Sequence, residues 1–112
     1  MPEPHSVSAH RSALTITVVG GRRAVLTFSG ALDAGLLREL EERLLDPLLG
    51  EAREWVLEMS DLTHLDLACA YALLRAATRQ PETVTLTVRG AKRSVQRTLR
   101  DAGVDAVAVI EE

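Results

Sequence analysis

Segments with strand-like alternation and segments with helical spacing follow one another along this chain, and their order limits the possible folds strongly. Apolar alternation or short apolar runs predict strands at 14–19, 25–30, 55–59, 84–88 and 107–110. Leucine-rich or alanine-rich stretches predict helices at 34–45, 67–78 and 91–102. An opening hairpin would turn at Gly20-Gly21. Strands that alternate with helices imply parallel pairing through right-handed crossovers. The sequence therefore predicts an α/β fold: a hairpin, then βα repeats, forming a mixed and mostly parallel sheet with helices mainly on one face.

Capping residues set the limits of the predicted helices. Asp66 is a good N-cap for the second helix, and Gln80-Pro81 ends it. Gly103 suits the position just after the third helix. In the first helix, four-residue spacing gives an apolar stripe: Leu36, Leu37, Leu40, Leu44 and Leu48. Asp46-Pro47 would cap one more helical turn after this helix. Glu39 and Arg43 would form an ion pair on the exposed side of the first helix. Residues 60–63, after the third strand, would form a turn.

Length and composition allow one domain and exclude several functional classes. The chain has 112 residues, so we expect a flexible arm over 1–12 and one domain over 13–112. Cys69 is the single cysteine, which excludes an internal disulfide and a Cys-based zinc site. A net charge of −3 argues against a nucleic-acid binder. No apolar run is long enough for a membrane span and no secretory signal is visible, so a cytoplasmic location is expected.

No familiar catalytic or metal-binding motif occurs in the sequence. His64 and Cys69 are the only base and nucleophile near each other, but Cys69 lies between alanines and is expected to be a buried packing residue. His5 and His10 lie on the predicted arm without supporting acids or thiols. The sequence therefore predicts a protein that is not an enzyme and holds neither cofactor nor metal.

The elements and the residues between them resemble one family, the STAS domain of bacterial anti-sigma-factor antagonists. The matching segments in chain order are 29–33, 56–63, Leu65-Asp66, 86–90, 95–99 and Gly103. The resemblance extends from about Leu14 to Ile110. It implies the same α/β fold and a non-enzymatic regulatory role in the cytoplasm, where members of the family control transcription by partner switching.

The site implied by the resemblance departs from the family pattern. In the family, the matching aspartate is followed by two hydroxyl residues, and a partner kinase phosphorylates the second. Here the segment reads Asp66-Leu67-Ala68-Cys69-Ala70, so the phosphoacceptor position falls on Ala68. Asp33 matches an acidic residue that lies near that site in relatives. Alanine has no oxygen that accepts a phosphoryl group, so the resemblance implies an antagonist that cannot be phosphorylated at the family site.

The implied interaction surface consists of Asp33, Asp66, Leu67, Ala68, Cys69 and Ala70. The expected partner is an anti-sigma factor of the serine-kinase kind or another STAS protein, and a homodimer is compatible with the same features. Arg93, Arg97 and Arg100 recur at helical spacing and have two interpretations. They form either a solvated face that the acidic first helix balances or a secondary docking face for an acidic partner surface. The alternative function is that of a STAS-like accessory or structural subunit in a transport or stress-sensing complex.

Overall fold

The computed structural model describes residues 14–19 and 22–111. Its five strands are β1 (Leu14–Val19), β2 (Arg23–Leu32), β3 (Glu54–Leu65), β4 (Thr85–Arg89) and β5 (Ala108–Ile110). Its four α-helices are α1 (Leu37–Arg43), α2 (Pro47–Glu51), α3 (Leu67–Thr78) and α4 (Arg93–Ala102). Short 3-10 turns precede α1 and β5. The predicted arm and the Gly20-Gly21 turn lie outside the described residues, and the domain limits stay a prediction.

The five strands form one sheet whose order in space is the order in the chain, β1-β2-β3-β4-β5. β1 is antiparallel to β2, and every later pair is parallel. Each parallel connection passes through a helix, as the alternating pattern requires. The predicted mixed and mostly parallel sheet is confirmed.

The helices cover one face of this sheet and enclose the core there. Along β2, buried side chains alternate with more exposed ones as far as Phe28, whereas three successive residues of the central strand β3, 55–57, are all buried. Phe28 and Trp55 are among the largest side chains that are fully buried. α3 packs between α1 and α4. The threonines that alternate with the core residues, such as Thr15, Thr27 and Thr85, are exposed on the opposite face. The prediction of helices on one face is confirmed.

The capping residues act largely as the sequence predicts. Asp66 caps α3, and Gly103 ends α4 in the left-handed conformation with φ of 91°. Pro47 occupies the first position of α2, where a missing amide hydrogen costs nothing, and Asp46 caps that helix. None of the described helices is long and apolar enough to reach across a bilayer.

Three local predictions are wrong. Residues 60–63 are not a turn, because β3 continues to Leu65 and pairs with β2 as far as Leu32. Leu48 does not extend the buried stripe: α2 begins after Asp46 in a new direction and leaves Leu48 42% exposed. Within the described chain Glu39 and Arg43 form no ion pair, whereas Glu41 pairs with Arg75 of α3.

Candidate protein-binding surface at the start of helix α3

The ends of β2 and β3 bring the two predicted site aspartates into neighbouring loops. Leu32 lies opposite Leu65 in the parallel register, and the next residue of each strand is an aspartate. The backbone amide of Asp66 donates to the carbonyl of Leu32 at 2.9 Å. This contact holds the two loops together at the carboxyl-terminal edge of the sheet, where loops of α/β proteins form most binding sites.

Both aspartates cap the helical turns that follow them. One carboxylate oxygen of Asp66 accepts from the Ala68 amide at 2.9 Å, and one of Asp33 accepts from the Gly35 amide at 3.0 Å. These contacts satisfy amides that the turns leave without a partner. The aspartates therefore fix the direction of α3 and of the turn before α1, which positions the residues between them.

Cys69 lies beneath this pair of loops and is fully buried. Its Sγ donates to the backbone carbonyl of Asp33 at 3.4 Å. Burial raises the pKa of the thiol from 9.0 to about 11, and the negative charges of Asp66, Asp33 and Glu41 add to the increase. A protonated and buried thiol is a poor nucleophile, and His64 is exposed on β3. Cys69 and His64 therefore do not form a catalytic pair.

We expect the raised pKa of Cys69 to make folding stability depend on pH. The unfolded chain loses the thiol proton near pH 9.0, whereas the folded protein keeps it until about pH 11. Stability from this group is therefore complete below pH 9.0 and is lost as the pH rises toward 11. The expected loss is about 1–3 kcal/mol. Urea denaturation of the wild type and of Cys69→Ala measures it, since only the wild type should show this component. Equal pH dependence in the two proteins would contradict the account.

The surface that a partner could touch is smaller than the sequence implies. Cys69 and Ala70 are 0% exposed, because both side chains lie on the face of α3 that packs in the core. They support the surface from below and cannot belong to it directly. Leu67 is 42% exposed and Ala68 is half-buried, so these two residues remain on the outside.

Tyr71 belongs to the same exposed surface, although no motif in the sequence selects it. It is 40% exposed and follows Leu67 by one helical turn. Residues four apart share one side of a helix, and that spacing was the available signal. Leu67 and Tyr71 give the start of α3 an outward apolar stripe, with Ala68 beside it. We call Leu67, Ala68 and Tyr71 the α3 surface.

The arginines of the predicted secondary face lie on the neighbouring helix α4. Arg93, Arg97 and Arg100 are all exposed, and none forms an ion pair with another described residue. Asp101 is the acidic residue beside them in a shallow depression. Lys92 anchors the start of the helix by donating from Nζ to the Ser60 carbonyl at 2.9 Å. This face is a second exposed surface on a helix that packs against α3.

The described residues offer little for small-molecule or metal chemistry at the α3 surface. No group of three or more histidine, cysteine, aspartate or glutamate side chains is placed to hold a metal ion in the part of the chain that the structure describes. A cleft of about 410 Å³ lies at the other end of α3, near Ala77, Gln80 and Val107. Glu82, on its rim, forms an ion pair with Arg53. The α3 surface is an exposed apolar stripe and not an enclosed site.

The fold and the paired loops define a STAS domain, and comparison with known proteins agrees. The family model described as "Mlab, STAS domain" matches residues 13–111. The chain belongs to this family, which confirms the resemblance drawn from its motifs. No curated protein sequence matches the chain.

Solved structures of anti-sigma-factor antagonists have the same fold. An antagonist from Mycobacterium paratuberculosis gives a TM-score of 0.71 at 15% identity over 87% of this chain and 82% of that one. Unphosphorylated SpoIIAA gives 0.66 at 10% identity over 89% and 88%. SpoIIAA of Bacillus in its phosphorylated form gives 0.62 at 12% identity over 89% and 92%. At these identities the likeness concerns the fold.

Proposed function

We propose that this chain is a non-enzymatic protein-binding module of the anti-sigma-factor-antagonist type, and that its partner docks on the α3 surface. The observation that carries the proposal is the exposed apolar stripe of Leu67 and Tyr71 at the capped start of α3. Leu67 and Tyr71 are two of six large apolar side chains that the described surface exposes, and their place beside Asp33 and Asp66, where the family resemblance puts the partner site, distinguishes them from the others. Asp33 and Asp66 hold the surface in place through their capping contacts.

This surface lacks the serine or threonine that a kinase phosphorylates in the family, and its one side-chain hydroxyl is the phenol of Tyr71. The positions that carry hydroxyl groups in the family are Leu67 and Ala68 here, and neither side chain accepts a phosphoryl group. A phosphate would add a charge of about −2 beside Asp33 and Asp66, which would disfavour an apolar contact. Without phosphorylation at these positions, the surface stays able to bind its partner. The partner would be an anti-sigma factor of the kinase kind or another STAS protein.

Affinity capture from the native organism tests this function. The baits are the wild type, Leu67→Asp and Leu48→Asp. The last is a matched control, because Leu48 is also 42% exposed in the first turn of a helix. We expect a protein that wild type and Leu48→Asp retain and Leu67→Asp loses, since an unpaired carboxylate would be buried at an apolar contact. The same proteins on all three baits would contradict the proposal. A captured transport subunit in place of an anti-sigma factor would favour the accessory-subunit alternative.

A further inference from the structure

A line of exposed side chains continues along α3 beyond the α3 surface. It consists of residues at four-residue spacing, all of them exposed: Leu67, Tyr71, Arg75 and Arg79. Side chains at this spacing form a ridge on a helix, and such ridges are the features against which a second helix packs. At 1.5 Å per residue the line is about 18 Å long. Its first half is apolar and its second half is positively charged.

A groove between α1 and α3 runs beside the charged half of this line. We call it the α1–α3 groove, and its lining residues are Glu41, Leu44, Leu45, Ala72, Arg75 and Arg79. Leu45 is 69% exposed, more than any other large apolar side chain among the described residues. The groove measures about 250 Å³, which is below the usual ~300–1,000 Å³ of small-molecule sites. It therefore fits side chains of a protein partner better than a separate small ligand.

We propose that the part of the partner that binds here is an amphipathic helix with carboxylate side chains near one end. Its apolar residues would cover Leu67, Tyr71 and Leu45, and its carboxylates would pair with Arg75 and Arg79. This inference rests on the proposed function, because it names the kind of segment that binds the α3 surface and extends the contact into the α1–α3 groove.

The helical walls of the groove favour a helical occupant. Both walls are helices, whose amides and carbonyls bond within the same helix. An extended peptide gains its affinity from free backbone groups, such as those of a sheet edge, and the middle of a helix offers none. A helix satisfies its own backbone groups and binds through its side chains alone. The groove and the ridge therefore match a helix better than a strand.

The arginines of the groove indicate that the occupant is acidic. Arg79 is exposed and forms no ion pair with another described residue. Covering it with a purely apolar segment would be costly, because its charge would leave water without a partner. Arg75 pairs with Glu41, but both side chains are about half exposed, so other guanidinium donors of Arg75 stay accessible. Two arginines against one glutamate give the groove a net positive charge, which carboxylates of the partner would balance.

Calorimetry with the purified partner that the wild-type bait captures tests the proposal. Arg79→Glu should lower the affinity about tenfold or more, because the carboxylates of the partner would then meet a like charge. Arg97→Glu is the matched control, since Arg97 is also an exposed arginine without an ion pair, but the depression that it lines on α4 contains no apolar residue. Leu45→Ser should also weaken binding, whereas Val109→Ser should not, because Val109 is 62% exposed on β5 and lies outside the groove. Thermal melting of each variant verifies folding.

Hydrogen exchange of the partner, measured free and bound, locates the segment that contacts this chain. We expect protection of a segment with apolar residues at helical spacing and acidic residues near one end. Replacing the acidic residue that faces position 79 by lysine should restore binding to Arg79→Glu. Protection of a segment without this spacing or without acidic residues would overturn the proposal, as would equal losses for Arg79→Glu and Arg97→Glu.

The same variants separate this inference from the proposed function. If Leu67→Asp abolishes binding while Arg79→Glu and Leu45→Ser leave it unchanged, the proposed function stands and this inference is wrong. If Leu67→Asp retains the same proteins as wild type, the proposed function is wrong and this inference fails with it.

Discussion

The affinity of the captured partner should fall about 100-fold or more when Ala68 is replaced by glutamate. Ala68 is half-buried in the first turn of α3, directly after the exposed Leu67. A carboxylate there would have to leave water on binding, and Asp66 and Asp33 offer it no positive partner. It would place a negative charge close to the position where a phosphoserine carries one in the family. Leu67→Asp should have an effect of the same order.

The matched variant Ala68→Gln separates charge from size. Glutamine has the shape of glutamate without its charge, so we expect a loss of less than about tenfold. Calorimetry with the purified partner gives the affinities, and thermal melting shows that each variant is folded. An acidic residue in the first turn of a helix is favourable, which limits the cost to the fold. Equal losses for glutamate and glutamine would show that space, not charge, governs this position.

The largest loss of stability is expected for Trp55→Ala. Trp55 is 0% exposed on the central strand β3. Its Nε1 donates to the Leu49 carbonyl at 3.2 Å and so ties α2 to the sheet. Removing a buried tryptophan side chain costs about 3–5 kcal/mol, a large part of the stability of a small domain.

Urea denaturation followed by circular dichroism measures this cost, because Trp55 is the single tryptophan and its fluorescence is absent from the variant. Trp55→Phe is the control. It keeps an aromatic ring and removes the hydrogen bond to Leu49, so we expect a smaller loss of about 1–2 kcal/mol. A change below about 1 kcal/mol for Trp55→Ala would mean that the packing around β3 contributes much less than its burial indicates.

Strong local signals made most of the fold predictable from the sequence. The helix over 67–78 has an N-cap at one end and Gln80-Pro81 at the other, and the structure gives the same limits. The end of β3 was missed because Ser60 and Asp61 are adjacent exposed polar residues, which is typical of a turn. In the structure the β2–β3 register shifts along this stretch, between Thr27 and Ser29 and again between Gly30 and Ala31, and the strand continues. Such irregularities depend on the partner strand and have no signal of their own in the sequence.

The candidate site was predictable in its position but not in its exposed residues. The resemblance to the STAS family selected the segment from Asp66 to Ala70 together with Asp33, and the structure places the two aspartates in neighbouring loops. Which side chains point outward depends on how α3 rotates against the sheet and against α1 and α4. That rotation buries Cys69 and leaves Tyr71 on the surface. Segment 66–71 consists mostly of apolar and small side chains, and its sequence does not determine how α3 is oriented.

The central claim is that the α3 surface binds its partner without a phosphorylation switch, and the modification state of the native protein tests it most directly. The chain is recovered from the native organism both free and bound to the captured partner, and phosphate is mapped by mass spectrometry. Ala68→Ser, expressed in the same host, is the positive control for a competent kinase. We predict that segment 63–71 of the wild type, which includes the hydroxyls of Thr63 and Tyr71, carries no phosphate in either pool. Phosphate on this segment in the free pool, and its absence from the bound pool, would contradict the account.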